Sequence, residues 1–340
     1  MAQGGKIVYN IGIYGGSFNP LHMGHVSCII QGANMCKTLY IAICDGAVRG
    51  EIDIRIKYRW IYQLTKHIGN VKIIILPDDC NTKEEYTEKQ AINDSEFIRE
   101  QIGKSIDVVF FGSDYGEDSF WYMCYPEAEK YVFPRNKISS TQIRENVYEH
   151  WDWLPDVVKP YYVKKVLLIG GESVGKSTLT INLANYYNTN YVDEAGRVLS
   201  EKSGTDTMML QEDFTEILLT QKLNQIKAEE TSNRVLFVDT DTLITQFYLN
   251  FFDDGNKEKN VNLSNALDAL NEFDLILFLE PDVPFVQDGG RSKIIRDDRY
   301  KYSNQIKQIF NDHNKKFVCI SGDYQERFLA AVSAVDAILK

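Results

Sequence analysis

Two glycine-led stretches carry the residues that can do chemistry. The first is Gly15-Gly16-Ser17-Phe18-Asn19-Pro20-Leu21-His22-Met23-Gly24-His25, and the second is Gly170-Gly171-Glu172-Ser173-Val174-Gly175-Lys176-Ser177-Thr178. In the first, paired glycines let backbone amides approach an anion. Pro20 stiffens the turn, and a helix starting near Gly24 would aim its free amides and positive dipole end at a phosphate. His22 and His25 are three apart, close to one face if helical, and both could donate to phosphate oxygens. Two of only five histidines fall in this loop. A lone histidine near a loop is more often ordinary, but the whole pattern is long. The second stretch is a G-x-x-x-x-G-K-S loop. Its amides, from Gly171 to Thr178, would cradle a β-phosphate, Lys176 would reach the β/γ oxygens, and Ser177 would hold Mg²⁺.

Other residues cluster around these loops by order along the chain. Ile138-Ser139-Ser140-Thr141-Gln142-Ile143-Arg144 reads as a helix start. Ser139 or Ser140 caps it, the free amides, Thr141 included, hold phosphate, and Arg144 adds a charged fork. Lys57 and Arg59 are weaker substrate candidates, because a basic pair on a helix usually faces solvent. Gly112-Ser113-Asp114 follows a strand and could meet adenosine, or be a simple turn. Asp239 ends an apolar strand, with Asp241 two residues on. Carboxylates there could hold Mg²⁺ or take an acceptor's proton, and the bland alternative is helix capping. Glu194 and Arg197 could meet a ribose. Arg291, Arg296 and Arg299 lie in a polar stretch, 289–300, that suits either a mobile lid or a surface ion-pair cluster. Glu280-Pro281-Asp282 stands where a GTPase would carry N-K-x-D.

The elements that must hold these residues alternate. Short apolar runs at 8–14, 39–44, 71–76 and 107–111 fit strands buried on both faces of a parallel sheet. Helix-length segments lie at 24–35, 53–67 and 89–102. The rhythm restarts with strands at 166–169, 235–238, 275–279 and 317–320, and helices at 176–187, 211–230 and 325–339. The polar stretch 253–262 reads as a surface loop. The linker is 150–162, which contains Pro155 and Pro160. The fold class is α/β in two domains, with a doubly wound sheet in the first half.

The bulk numbers agree with two domains in 340 residues, of which 44% are hydrophobic and 25% charged. A net charge of −11 argues against a general nucleic-acid binder. The six scattered cysteines contain no C-x-x-C pair, so no zinc or redox site is indicated and a reducing compartment is expected. With no signal-like start and no membrane-length apolar run, the expected location is cytoplasmic. The sequence leaves room for a homo-oligomer.

The first loop, with Ile138–Arg144, resembles the HxGH nucleotidyltransferase superfamily, and the second is a Walker A P-loop. The whole chain resembles the NadR-like family of bifunctional nicotinamide-nucleotide adenylyltransferases and ribosylnicotinamide kinases. GIYGGSFNPLHMGH, ISSTQIREN, WDWLPDVVKPYYVKKV, GGESVGKS, Glu194-Ala195-Gly196-Arg197, Phe237–Asp241 and Asp288–Ser292 carry that likeness. It implies an HxGH, Rossmann-like transferase domain over 1–155 and a P-loop kinase domain over 163–340. It implies Mg²⁺ with ATP, and nicotinamide riboside, its mononucleotide (NMN) and NAD as ligands. His22, His25 and Arg144 would act in the first half, with Gly15, Gly16, Ser17, Phe18, Gly112 and Asp114 also on ATP. Lys176 and Asp239 would act in the second, with Ser177 and Asp239 on the metal. Lys57, Arg59, Trp121, Glu194, Arg197, Asp241 and Arg291 would meet substrates. The family places tryptophans by the nicotinamide; here Tyr86, Phe97 and Trp121 are the aromatics on offer. Some members carry an N-terminal DNA-binding helix-turn-helix, for which this chain leaves no space before its first strand, so no nucleic-acid partner and no membrane are expected. Two alternatives remain: a phosphopantetheine adenylyltransferase/dephospho-coenzyme A kinase fusion, against which G-G-S-F-N-P counts, and a sensor that binds NAD and ATP without turnover.

Overall fold

A computed structural model of the chain describes residues 9–78, 80, 85–112, 119–134, 137–197, 208–252, 256–286 and 293–340. Two compact units emerge, Met1–Val158 and Lys159–Lys340. Asp114 and Arg291 lie outside the described residues.

Among the described residues the first unit is built on five strands: β1 (Tyr9–Gly16), β2 (Cys36–Asp45), β3 (Val71–Pro77), β4 (Val108–Phe111) and β5 (Glu129–Val132). Their order is β3-β2-β1-β4-β5 and every pairing is parallel. Ile11 to Tyr14 and Val108 to Phe111 are buried throughout, as strands covered on both faces must be. Chain direction across the sheet reverses at β1, so the loops leaving β1 and β4 flank a crevice at the carboxyl edge. Around the sheet run α1 (Met23–Met35), α2 (Ile54–Thr65), α3 (Glu88–Ile102), α4 (Phe120–Met123) and α5 (Ser140–Glu145). Asp53 caps α2 by accepting from Arg55 N, Thr87 and Gln90 form a capping box on α3, and Gly103 closes α3 in the left-handed region. β5 has no apolar run to announce it: Glu-Lys-Tyr-Val sits at the sheet edge.

The second unit is also a parallel sheet, of β6 (Lys164–Ile169), β7 (Tyr191–Val192), β8 (Val235–Asp239), β9 (Leu275–Leu279) and β10 (Val318–Ile320), but in a different strand order, β10-β9-β6-β8-β7. Its helices are α6 (Lys176–Tyr187), α7 (Gln211–Glu229), α8 (Thr242–Phe251), α9 (Glu258–Asp268), α10 (Lys293–Asp297), α11 (Arg299–Asp312) and α12 (Tyr324–Ile338), with a further helical turn at 195–197. One expectation is corrected. Residues 258–262 open α9 and are not a surface loop. The inward face of α9 is largely polar: Asn260 donates to Gln211 O at 2.8 Å and Ser264 to Thr242 O at 2.8 Å, so hydropathy alone conceals the helix. The described part of the polar stretch 289–300 is likewise helical, in α10 and the start of α11. No helix among the described residues is long and apolar enough to cross a membrane.

Candidate functional site

In the first unit, β1 delivers Gly15 and Gly16 to the carboxyl edge. Phe18 follows with φ 46° and is 1% exposed, which anchors the loop in the core. His22 is the N-cap of α1. Its Nδ1 accepts from His25 N at 3.3 Å, and His25 Nδ1 accepts from His22 N at 3.4 Å. The rings stack with centroids 3.7 Å apart, and the edge of Phe18 meets His25 at 5.0 Å. Because each Nδ1 is an acceptor, a neutral ring carries its proton on Nε2. Burial, then the neighbouring His22, holds His25 well below the usual histidine range. His25 therefore offers a neutral Nε2–H donor, and the reciprocal cap turns the Nε2 side of both rings away from the backbone.

The Ser139–Arg144 motif comes to this loop from more than a hundred residues away. Ser139 caps α5, accepting from Thr141 N at 3.3 Å. Arg144 Nη1 donates to Asn19 O at 2.6 Å and Nη2 to Thr141 Oγ1 at 3.2 Å, and Ser140 Oγ lies 3.4 Å from Pro20 O. Gly112 follows β4, and among the described residues nothing lies within 4 Å of where a Cβ there would stand. Trp121 packs over the loop, its Cη2 3.1 Å from where a Gly15 Cβ would stand, and lines a pocket with Gly15, Phe110 and Phe111. The Trp121 indole pairs with the Tyr86 hydroxyl, which donates to Asp94 Oδ2 at 2.6 Å. Of the three aromatic candidates, Tyr86 and Trp121 are thus brought together, while Phe97 is exposed on α3. Lys57 and Arg59 are separated. Two residues apart on a helix they face different ways: Lys57 is fully buried, with Nζ on Cys44 O at 2.9 Å and Glu51 at 3.4 Å, and Arg59 is on the exposed face.

In the second unit β6 runs into the P-loop. Gly170 (φ 148°), Ser173 (φ 58°) and Gly175 (φ 88°) bend it, and a Cβ on Gly170 would stand 2.7 Å from Leu279 O. Lys176 is 9% exposed, with Nζ donating to Gly171 O at 2.9 Å. Ser177 Oγ accepts from Arg197 Nη2 at 2.6 Å. Glu172 meets the Tyr248 hydroxyl at 3.4 Å, and Ser173 Oγ accepts from Val286 N at 2.8 Å. Val174 is buried and Thr178 exposed. Asp239, at the end of β8, is 1% exposed with Ser177 beside it, and among the described residues neither carboxylate oxygen has a partner within hydrogen-bond geometry. Burial raises it to about 6, with Lys176 pulling it down and Glu194 pushing it up. Lys176, Ser177, Glu194, Arg197 and Asp239 therefore converge. Asp241 does something else: it caps α8, accepting from Leu243 N at 3.1 Å, and burial followed by the charge of Asp268 raises it to about 7. Arg296 pairs with Asp297 at the surface, and Arg299 donates to Val283 O at 2.7 Å.

Sequence reasoning passed over Gln221 and Arg327. Gln221 accepts from Ala195 N at 2.9 Å and donates to the carbonyls of Asp239 and Thr240, each at 3.1 Å, so it ties the Glu194–Arg197 segment to the strand end. Arg327 shares the buried face of α12 with Ala331 and Val335. A charge in core register was the available signal.

Residues 13–146 match the cytidylyltransferase-like family, and residues 165–327 match the AAA domain. The trifunctional NAD biosynthesis/regulator protein NadR of Salmonella typhimurium is 29% identical over 97% of this chain and 83% of its own. A crystal structure of a NadR protein in complex with NR superposes with a TM-score of 0.80 at 21% identity, covering 97% of this chain and 96% of that one. Another, in complex with NAD and AMP-PNP, gives 0.79 at 21% identity, covering 98% of each. By sequence along nearly its whole length and by fold, the chain is similar to the NadR proteins.

Proposed function

We propose that the chain makes NAD in two steps. The second unit phosphorylates nicotinamide riboside with ATP to give NMN, and the first transfers AMP from ATP to that product, releasing pyrophosphate. The observation that carries this reading is the presence of both cradles in one chain, in the arrangement of its NadR relatives. In the kinase half the P-loop amides bind the β-phosphate and Lys176 turns from Gly171 O onto the β/γ oxygens. Glu194 and Arg197 meet the ribose of the acceptor, whose hydroxyl attacks the γ-phosphorus while ADP leaves. A buried carboxylate with both oxygens bare, near a P-loop serine, fits a divalent cation. Ser177 and Asp239 would hold Mg²⁺ there, which when bound neutralises charge on the transferring phosphate.

AMP transfer needs no enzyme nucleophile. The acceptor phosphate attacks the α-phosphorus, and the protein contributes position and charge. His22 and His25 donate through Nε2–H, and Gly15 to Phe18 and the Ser140–Arg144 turn line the triphosphate. Trp121, held by Tyr86, offers a flat face to the nicotinamide. The six free cysteines suit a reducing compartment, and we place the enzyme in the cytoplasm. The test is product analysis with nicotinamide riboside and Mg²⁺-ATP. One ADP and one pyrophosphate per NAD are expected. NMN without NAD would defeat the transferase half, and adenylylation of phosphopantetheine instead would favour the coenzyme A alternative.

A further inference from the structure

One arginine of the second unit has no part in the chemistry above. Arg327 is 2% exposed. A guanidinium withdrawn from water is costly unless its donors are met. Here Nε donates to Gly322 O at 2.8 Å, Nη1 to Val174 O at 2.6 Å and Nη2 to Glu280 O at 2.7 Å, and the Asp282 carboxylate pairs with Nη2. Asp282 also accepts from Gly322 N at 2.8 Å. One side chain thus joins the P-loop, the segment after β9 and the turn after β10.

That turn is Ser321-Gly322-Asp323-Tyr324. Gly322 has φ 96°, which other residues resist, and Asp323 forms a capping box with Glu326. The backbone that carries Tyr324 is therefore fixed at the start of α12. The Tyr324 ring lies on the P-loop, with Cε1 3.4 Å from where a Gly175 Cβ would stand, yet 58% of the residue is open to water. An open aromatic face fixed beside a phosphate cradle suits the flat base of the nucleotide whose phosphates fill that cradle.

We infer that Tyr324 is the stacking face for the base of the ATP bound by the P-loop, and that Arg327 is the positioning residue holding this face and the cradle in one register. The inference rests on the P-loop reading given under Proposed function. Stacking of a base on an aromatic side chain is worth about 5- to 150-fold in affinity.

The test uses the full chain and two probes with a phosphate tail, ADP and inorganic tripolyphosphate, titrated calorimetrically. The P-loop site is the one that Lys176→Ala removes. Tyr324→Ala should weaken ADP by at least about fivefold and change tripolyphosphate by less than about twofold, while Tyr324→Phe restores ADP binding. Arg327→Lys keeps the charge but loses the planar fork, and should weaken both probes together, because Val174 belongs to the cradle. Should that protein not fold, Asp282→Asn loosens the same clamp and should also weaken both. Loss of both probes in Tyr324→Ala, or no loss of ADP, overturns the stacking role. Unaltered binding of both probes in the folded clamp variant overturns the role of Arg327. If wild type and Lys176→Ala bind ADP alike, it is the P-loop reading that fails.

Discussion

Asp239→Asn puts the bare carboxylate at the end of β8 to a quantitative test. Burial, together with the charge of Glu194 and against the pull of Lys176, lifts this carboxyl from 3.8 to about 6. At ~1.4 kcal/mol per decade, ionising Asp239 in the nucleotide-free fold costs about 3 kcal/mol. The group's value is raised on folding, so the penalty is absent below 3.8, where both states are protonated, and complete above about 6. Asparagine has nearly the same shape and no charge, though its buried amide lacks partners and costs about 1 kcal/mol. The nucleotide-free variant should therefore be more stable than wild type at neutral pH by about 2 kcal/mol, or roughly 4–8 °C in the melting of a unit this size. The advantage should disappear toward a pH of about 4. Mg²⁺-ATP should reverse the order, because only the wild type offers the cation a carboxylate, and riboside phosphorylation should fall about 100-fold or more. Thermal melts across this pH range, with and without Mg²⁺-ATP, read all of this. A variant less stable than wild type at neutral pH, or an advantage that does not change on acidification, would refute the reasoning.

Lys176→Ala should lower riboside phosphorylation, followed as ADP release, by about 100-fold or more while AMP transfer to supplied NMN survives. Unaltered phosphorylation would remove the P-loop from the mechanism. His25→Ala should depress NAD formation from NMN and spare riboside phosphorylation; loss of both activities along with the melting transition would mark His25 as structural only. Since burial lowers His25, the ring stays neutral as pH falls through the ordinary histidine range, and the pH–rate profile of AMP transfer should show no limb from its protonation. Finally, 1–158 and 159–340 each have their own sheet and core, so each should fold alone with one activity, read by melting and by separate assays. A fragment that fails to fold would contradict this.

The parts of the sites legible in sequence are those written contiguously. The Gly15–His25 loop and the P-loop each place their phosphate-cradling residues within a dozen positions, and α6 begins at Lys176 as the pattern requires. Strands buried on both faces appear as apolar runs for the same reason. The rest depends on distant partners. Asp239 and Asp241 look alike in sequence, and only the turn between them decides that one stays bare while the other caps α8. Lys57 and Arg59 could be read as a pair until the helix phase split them. Gln221 and Arg327 act through carbonyls that no local pattern reveals, and α9 is polar where a core-facing helix is usually apolar.

The bridge from Arg144 to Asn19 spans 125 residues. On a ribosome adding about 5–20 residues per second, roughly 6–25 s separate the synthesis of its two ends. The histidine loop is therefore made early and stays without its Arg144 tie through most of the first unit's synthesis, since Ser139–Arg144 come after every strand of that sheet. β6 starts at Lys164, only about 20 residues later, or roughly 1–4 s at the same rate. The transferase cradle closes in time just as the first strand of the kinase sheet begins to be made.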